Sequence, residues 1–361
     1  MFYAKAIINT KALVHNLGVI RQLAPEQKIL AMVKADAYGH GLITCAKALA
    51  EASVDGFGVA RIAEAMALRD AGISQTIVLM DGIIESQELQ LAAEHGLDIV
   101  IHRPEQIELL QSDIEINPIQ IWLKIDTGMN RLGLNLNEAK ACWDQLLLLK
   151  NIKHPPRIMT HFARADERDD DFTQQQMNKF FEATASMPGE YSLANSAGIL
   201  AWPESYGDWL RPGIMLYGAS PFAAATGTEH ELQPVMTLKS QLIAIKRLQQ
   251  GEAIGYGSTW VCPEPMCVGV VAIGYGDGYP RHIAQNTPVL LNGELANIVG
   301  RVSMDMVTID LRQHPKAKVG DEVTLWGEGL PVEVIARQAN TISYELLCQV
   351  TARVVKCFES N

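Results

Sequence analysis

The sequence lacks the features of a membrane-spanning, exported or nucleic-acid-binding protein. It has no apolar run of about 18 residues, the length that spans a bilayer. Its start, MFYAKAIINT, lacks the charged region, apolar core and small-residue cleavage site of a signal peptide. Positive charge is also scarce: 30 Lys and Arg stand against 41 Asp and Glu, a net charge of −11, which does not suit binding to phosphate backbones. We therefore expect a cytoplasmic protein with no membrane or nucleic-acid partner.

Paired cysteines are missing as well. There is no C-x-x-C motif and no cysteine–histidine spacing typical of a metal site. The six cysteines are scattered: Cys45, Cys142, Cys262, Cys267, Cys348 and Cys357. We expect reduced thiols in a reducing compartment and no bound metal.

Short apolar, β-branched runs recur along the first two thirds of the chain. Between most of them lie stretches with helical spacing, although the stretch between residues 197 and 210 is only a weak helix. This alternation predicts a parallel sheet, and eight runs predict a closed (β/α)8 TIM-type barrel of the α/β class. The predicted strands are 28–36, 56–60, 76–80, 97–102, 120–126, 156–163, 191–196 and 211–218.

The pattern changes after about residue 232. Strand-like runs are then separated by Gly, Pro, Asn and Asp, with little helical periodicity, which predicts an antiparallel β domain. We therefore expect a barrel domain over residues 1–232 and a mainly β-strand domain over 233–361. The segment TGTEHELQP (226–234) is the best candidate for the linker. A first strand at 3–10 is expected to pair with the C-terminal domain.

Polar residues lie at or just after the ends of several predicted barrel strands, and Arg211 and Gly213 flank the eighth. In such barrels the active site lies where the carboxyl ends of the strands meet the loops, so these residues are expected at one mouth. Singly, each has an ordinary interpretation: Lys34 as a solvated lysine, His161 as a hydrogen-bonded core histidine. The group comprises Lys34, Arg131, His161, Asn195, Ser196, Arg211 and Gly213.

A lysine at that mouth favours a carbonyl cofactor, because its amine can form a Schiff base. Pyridoxal 5′-phosphate (PLP) would supply the carbonyl, and it also needs a phosphate site and a partner for its pyridine nitrogen. Barrel enzymes often bind phosphate in the loops after strands seven and eight. Ser196, Gly213 and Ile214 lie there, and Arg211 is a candidate for the pyridine nitrogen.

Eight motifs resemble, in order, those of the alanine racemase family of fold-type III PLP enzymes. They are VKADAYGHG, KIDTGMNRLG, MTHFA, ANSAG, RPGIMLYG, GYGSTW, GYGDGYPR and GRVSMDM. The resemblance covers essentially the whole chain. It implies PLP-dependent interconversion of L-alanine and D-alanine, supplying D-alanine for peptidoglycan or degrading it.

The resemblance also implies residue roles. Lys34 would bond the cofactor and act as a base on one face of the substrate, and Tyr256 would be the base on the other. Tyr256 would come from the second subunit of a head-to-tail homodimer with shared active sites. The cofactor would contact Tyr38, Arg131, His161, Asn195, Ser196, Arg211, Gly213, Ile214 and Tyr344. The substrate would contact Arg131, Met304 and Asp305, with Tyr275 lining the access path. Lys124 matches a lysine that is carbamylated in some members.

Three alternatives remain at this stage. A racemase of broader substrate range differs from an alanine racemase in the room that Tyr344 and Met304 leave. A PLP-binding regulatory protein of the barrel type would lack the β domain and Tyr256. In the decarboxylases that share this domain plan, the pyridine nitrogen usually meets a carboxylate and not an arginine. A dinucleotide site at GYGDGY is disfavoured, because no helix follows it.

Overall fold

The structure is a computed structural model that describes residues 4–111 and 116–359. The chain forms two compact units. The first, here the barrel unit, comprises Asn16–Ala37 and Leu42–Leu216. The second, here the β unit, comprises the described residues of Met1–His15, Tyr38–Gly41 and Tyr217–Asn361.

The barrel unit contains eight strands, and every neighbouring pair within the sheet is parallel. After β1 (Lys5–Asn9), which belongs to the β unit, they are β2 (Lys28–Met32), β3 (Gly56–Val59), β4 (Thr76–Leu79), β5 (Asp98–Ile101), β6 (Ile119–Lys124), β7 (Ile152–Met159), β8 (Tyr191–Ser192) and β9 (Trp209–Leu210). The sheet runs in the order β8-β7-β6-β5-β4-β3-β2-β9. A single parallel bridge between Asn195 and Arg211 joins its two ends. The predicted barrel is confirmed.

Helices connect these strands. They are Thr10–Leu23, Leu42–Glu51, Ile62–Asp70, Ser86–Glu94, Glu105–Leu110, Leu136–Leu147, Phe172–Thr184 and Ser196–Ala201, with a 3₁₀ turn at Pro203–Ser205. Four strand predictions need correction. The run 211–218 is not the eighth strand, since β9 ends at Leu210 and Ile214–Tyr217 forms a 3₁₀ turn. Pro212 has no N–H for a sheet ladder, and the N–H of Gly213 bonds the Ser196 side chain. In addition, β2 ends at Met32 and β8 at Ser192, both earlier than predicted, and β7 begins at Ile152, also earlier than predicted.

The barrel interior is filled by layers of side chains. One layer is an apolar cluster of Leu30, Val78, Val100, Trp122, Met159 and Trp209. Side chains two residues apart on a strand face the same side. The next layer toward the carboxyl ends of the strands is therefore largely polar and includes Lys124, His161 and Arg211. A well-packed apolar layer thus lies directly beneath the predicted site.

The β unit is built on a second, largely antiparallel sheet. β1 pairs antiparallel with the first strand after the barrel and parallel with the last. These later strands are β10 (Met236–Leu248), β11 (Ala253–Ile254), β12 (Trp260–Val261), β13 (Met266–Val271), β14 (Pro288–Leu291), β15 (Glu294–Asn297), β16 (Val307–Asp310), β17 (Glu322–Trp326) and β18 (Val355–Glu359). Within residues 4–111 and 116–359, β11 and β12 pair only with each other. The unit also has helices Val332–Gln338 and Ser343–Gln349, and 3₁₀ turns at Gly227–His230, Tyr256–Ser258 and Tyr275–Asp277.

Across residues 4–111 and 116–359, no helix has both the length and the apolar composition needed to cross a membrane.

Candidate active site

The chain leaves β2 through a left-handed turn that begins at Lys34. The φ angles from Ala35 to Tyr38 lie between 52° and 55°, a region that costs L-residues about 1–2 kcal/mol each. Side chains hold the turn: Glu64 accepts the N–H of Ala35 at 2.7 Å, and Asp36 accepts the N–H of Leu42 at 2.7 Å. Four strained residues in a row, at the carboxyl end of a barrel strand, indicate a functional site.

Cations dominate the mouth of the barrel. Lys124 ends β6 and is 6% exposed, Lys34 is half-buried and Arg131 is exposed. Burial, followed by the charges of Arg211, Arg131 and Lys34, lowers the pKa of Lys124 to about 8, while Asp81 acts in the opposite direction. This excess of positive charge suits an anionic ligand.

His161 is a neutral member of this group. Burial lowers its pKa well below the usual value, and the charges of Arg211, Lys124 and Arg131 lower it further. Its Nδ1 lies 3.4 Å from Nη2 of Arg211, so the two predicted neighbours are brought together. A neutral imidazole adds no further positive charge to the mouth.

Arg211 is 2% exposed and is fixed by oxygen atoms of the barrel. Its Nη1 donates to Oγ of Ser192 at 2.5 Å. Its Nη2 donates to the carbonyl oxygens of Thr160 at 2.5 Å and Leu193 at 3.1 Å. Burial lowers the pKa of the guanidinium to about 9, which leaves it charged at neutral pH. Sequence reasoning missed Ser192, which lies outside the eight motifs, and Thr160, which lies within MTHFA but acts through a backbone carbonyl oxygen that any residue carries.

The loops after β8 and β9 form a compact polar cradle. Asn195 caps helix Ser196–Ala201, its Oδ1 accepting the N–H of Gly198 at 3.0 Å. The buried hydroxyl of Ser196 accepts the N–H of Gly213 at 2.9 Å. Ile214 begins the following 3₁₀ turn. Hydroxyl and backbone N–H groups concentrated at turn and helix starts are typical phosphate ligands.

In the β unit, Tyr38 lies in an aromatic stack. Its ring centroid is 4.8 Å from that of Tyr217 and 6.0 Å from that of Tyr344, and His40 stacks on Tyr217 at 4.6 Å. Burial, followed by the charges of Tyr344 and Cys348, raises the pKa of Tyr38, so its hydroxyl remains a donor. The structure places Tyr38 and Tyr344 close together. Sequence reasoning missed both Tyr217 and His40, although Tyr217 lies within RPGIMLYG and His40 within VKADAYGHG.

A second cluster of the β unit gathers Tyr275, Met304 and Asp305. The carbonyl oxygen of Met304 accepts the N–H of Gly276 at 2.8 Å. Asp305 accepts a hydrogen bond from Nη2 of Arg353 at 2.7 Å. Met304 is 52% exposed and Tyr275 is 39% exposed. Arg353 was missed, because no nearby motif marks it.

The glycines of GYGDGY are explained by close backbone packing. A Cβ at Gly274 would lie 2.3 Å from the carbonyl oxygen of Ser303, and one at Gly278 would lie 2.3 Å from that of Gln349. Close contact with backbone segments of the same chain therefore explains why these positions are glycine, and no dinucleotide-binding role is needed.

Tyr256 lies on an exposed turn of the β unit. It begins the 3₁₀ turn Tyr256–Ser258 and is flanked by Gly255 and Gly257, both with positive φ. Its side chain is 69% exposed. A large aromatic side chain presented in this way is available to a ligand or to a second protein surface.

A parallel barrel with a lysine and several cations at its mouth, together with a β-rich unit, defines the class of the protein: a (β/α)8-barrel enzyme for an anionic ligand. Comparison with known proteins identifies the family. Residues 8–221 match the family model described as alanine racemase, N-terminal domain, and residues 235–358 match alanine racemase, C-terminal domain. The chain belongs to the alanine racemase family, whose members are isomerases that act on an amino acid.

Individual relatives agree with this assignment. The chain is 50% identical to an alanine racemase of Coxiella burnetii (strain RSA 493 / Nine Mile phase I), covering 97% of each protein. It is 47% identical to one of Shewanella amazonensis, covering 99% of each. Among solved structures, the biosynthetic alanine racemase from Pseudomonas aeruginosa matches with a TM-score of 0.96 at 41% identity, over 100% of both chains. The alanine racemase from Bartonella henselae, with covalently bound pyridoxal phosphate, matches with a TM-score of 0.90 at 29% identity, over 99% of this chain and 100% of that one.

Proposed function

We propose that this chain interconverts L-alanine and D-alanine with PLP bound at the mouth of the barrel. The observation that carries the proposal is the match to the alanine racemase family along nearly the whole chain. It is supported by the setting of Lys34, which lies among cations at the end of β2. D-alanine made in this way would serve peptidoglycan synthesis, and the reverse reaction would degrade it.

The residues at the mouth fit PLP, because the cofactor carries an anionic phosphate and a phenolic oxygen. Lys34 would bond its aldehyde carbon, Arg211 would donate to the pyridine nitrogen, and Arg131 would reach the phenolic oxygen. His161 would support Arg211. The phosphate would be held by hydroxyl and backbone N–H groups of Tyr38, Ser196, Gly213, Ile214 and Tyr344, and Asn195 would also contact the cofactor.

The chemistry requires a proton to leave one face of the substrate and another to arrive on the opposite face. Bound PLP stabilises the negative charge that develops at the substrate Cα. The Lys34 amine would exchange the proton on one face, and the Tyr256 hydroxyl would exchange it on the other. Arg131, Met304 and Asp305 would hold the substrate, and Tyr275 would line its access path.

We further propose a homodimer with shared active sites, in which Tyr256 of one subunit serves the barrel of the other. Three residues assigned to the substrate side are exposed: Tyr256, Tyr275 and Met304. Covering such side chains with a second subunit would bury apolar surface.

The two sequence domains would divide between residues 232 and 233. A cytoplasmic location remains our prediction, since scattered cysteines suit a reducing compartment.

The proposal is tested by an absorbance spectrum and a chiral assay. The purified protein should show a band of bound PLP that borohydride abolishes, with the added mass on the Lys34 peptide. It should convert L-alanine to D-alanine and back. Other L-amino acids in the same assay would reveal a broader racemase.

Lys34→Ala should purify without covalently bound PLP and lose turnover in both directions, because one amine holds the cofactor and serves as a base. Lys47→Ala, at an exposed position of helix Leu42–Glu51, is the matched control and should keep both. Near-normal turnover by Lys34→Ala would contradict the proposal.

A further inference from the structure

The interior of the barrel contains a guanidinium group between two indole rings. The Arg157 guanidinium carbon lies 5.0 Å from the ring centroid of Trp122 and 4.8 Å from that of Trp209. The two indoles are themselves in edge contact, with centroids 5.4 Å apart and planes at 70°. A cation placed over two indole faces is a strong and directional contact.

Two carboxylates tie this group together. Oδ2 of Asp98 accepts hydrogen bonds from Nε1 of Trp122 and from Nη1 of Arg157, both at 3.0 Å. Oε2 of Glu190 accepts from Nε of Arg157 at 2.6 Å and from Nε1 of Trp209 at 2.8 Å. Each carboxylate therefore joins the guanidinium to one indole. We name these five residues the floor cluster.

The floor cluster lies beneath the cations of the mouth. Trp122 precedes Lys124 by two residues on β6, and Trp209 precedes Arg211 by two residues at the end of β9. Residues so spaced on a strand share one face. Each indole is therefore the inward side chain directly below a cation of the candidate site.

Arg211 directly follows β9, a short strand that pairs with β2 on one side and is linked to β8 by a bridge at Arg211 on the other. β9 has only two residues, and its link to β8 in the sheet is the single bridge between Asn195 and Arg211. The Ser192 hydroxyl donates to the carbonyl oxygen of Trp209 at 2.7 Å and accepts from Nη1 of Arg211. A shift of Trp209 would therefore reach Arg211 through both the backbone and Ser192.

We propose that Arg157 is a positioning residue for the cofactor site, which acts through Trp209 and Trp122 on Arg211 and Lys124. This inference rests on the proposed function, in which Arg211 meets the pyridine nitrogen of PLP. Arg157 itself would contact neither the cofactor nor the substrate. Through the two indoles, Arg157 would fix the position and orientation of the Arg211 and Lys124 side chains.

The test compares Arg157→Met with Arg69→Met as holoenzymes. Arg69 is a matched control, because it also lies near Asp98 at the amino ends of strands, where it donates to the carbonyl oxygens of Gln75 and His95. Arg69 therefore binds residues just before β4 and β5, whereas Arg157 contacts Trp209 of β9. We expect Arg157→Met to retain PLP about 10-fold more weakly on dilution, which corresponds to about 1.4 kcal/mol of binding free energy, and to shift the absorbance maximum of bound PLP. Arg69→Met should match the wild type in both measurements.

Equal PLP retention and equal spectra for the two variants would overturn the inference. If Arg157→Met does not fold, Trp209→Phe takes its place, since it keeps an aromatic ring and removes the N–H that bonds Glu190. An unchanged spectrum and affinity in folded Trp209→Phe would likewise overturn it. A wild-type protein that binds no PLP would instead overturn the proposed function, so the two failures are distinguishable.

Discussion

Lys124 shows how burial changes the chemistry of a single side chain. A pKa of about 8 leaves about a tenth of its amine neutral at pH 7, whereas an ordinary lysine is almost entirely protonated. A neutral amine is a nucleophile. The surrounding charges of Arg211, Arg131 and Lys34 would favour any reaction that turns this amine into an anion.

We predict that Lys124 is carbamylated in the folded protein. Its neutral amine would attack CO₂, form an N–C bond and release a proton, and the resulting anion would orient Arg131. After incubation with ¹³C-bicarbonate, NMR should show a carbamate carbon that is missing in Lys124→Arg. Electron density that ends at a bare amine, with activity indifferent to bicarbonate, would rule out the modification.

Gly39 is a second residue whose identity is set by its surroundings. Its φ is +83°, and a Cβ there would lie 2.1 Å from the carbonyl oxygen of Leu347. Gly72 has nearly the same φ, +85°, but open space around it. The two positions therefore separate backbone strain from steric clash.

We predict that Gly72→Ala lowers the free energy of unfolding by about 1–2 kcal/mol, the cost of the left-handed backbone. Gly39→Ala should lose about 1–3 kcal/mol more, because the methyl group displaces helix Ser343–Gln349. Urea unfolding measures both. Weaker PLP retention is also expected for Gly39→Ala, since that helix carries Tyr344. Equal losses of unfolding free energy for Gly39→Ala and Gly72→Ala would show that the steric clash with Leu347 does not destabilise the fold.

At the level of elements, the strands and their order were predictable, whereas the connections at the mouth were not. Apolar β-branched runs identify seven of the strands. The run 211–218 was wrongly predicted to be a strand because all of its residues are buried. A buried strand and a buried 3₁₀ turn can have the same apolar composition. The left-handed turn carries no local signal, since Ala35 and Ala37 favour a right-handed helix. Its shape depends on side-chain contacts from Glu64 and Asp36.

Glu190, just before β8, gives the barrel a defined pH dependence. Burial alone would raise its pKa, but hydrogen bonds from Lys28 and Trp209, together with the charge of Arg157, hold it at about 2. A carboxylate whose pKa is lower in the folded protein stabilises the fold fully above its ordinary value, and this contribution is lost as pH falls. The relevant window is therefore about pH 4.5 to 2.

We predict that Glu190→Gln lowers Tm at neutral pH and flattens the fall of Tm between pH 4.5 and 2. The exposed Glu182 of helix Phe172–Thr184 offers a matched control, and Glu182→Gln should follow the wild-type curve. Thermal unfolding across this range measures the effect. Parallel curves for wild type and Glu190→Gln would show that the hydrogen bonds of this carboxylate do not stabilise the fold.

At the scale of the whole molecule, the two proposed bases lie in different units. Lys34 belongs to the barrel unit and Tyr256 to the β unit. If one subunit supplies Tyr256 to the barrel of the other, a lesion in either residue can be complemented in a mixed dimer. The arrangement can therefore be tested by activity alone.

We predict that Lys34→Ala and Tyr256→Phe are each nearly inactive as homodimers, and that mixing them restores activity. Both lesions would fall in the same site of a mixed dimer, leaving the other site intact. Random association makes half of the dimers mixed, so about a quarter of wild-type activity should return. A tag on one chain verifies the mixing. Verified mixed dimers without activity would place both bases in one subunit.

The pairing of β1 with β18 has a consequence for how the protein is made. Lys5 lies opposite Val355, so 350 residues of synthesis separate the two partners. At ribosomal rates this delay is about 20 to 70 s. During that time one edge of β1, with Ala6 and Ile8 destined for complete burial, has no partner strand and is open to aggregation. All eight barrel strands are translated within this interval, so β1 waits longer for β18 than β2 waits for β9, where Lys28 lies opposite Trp209.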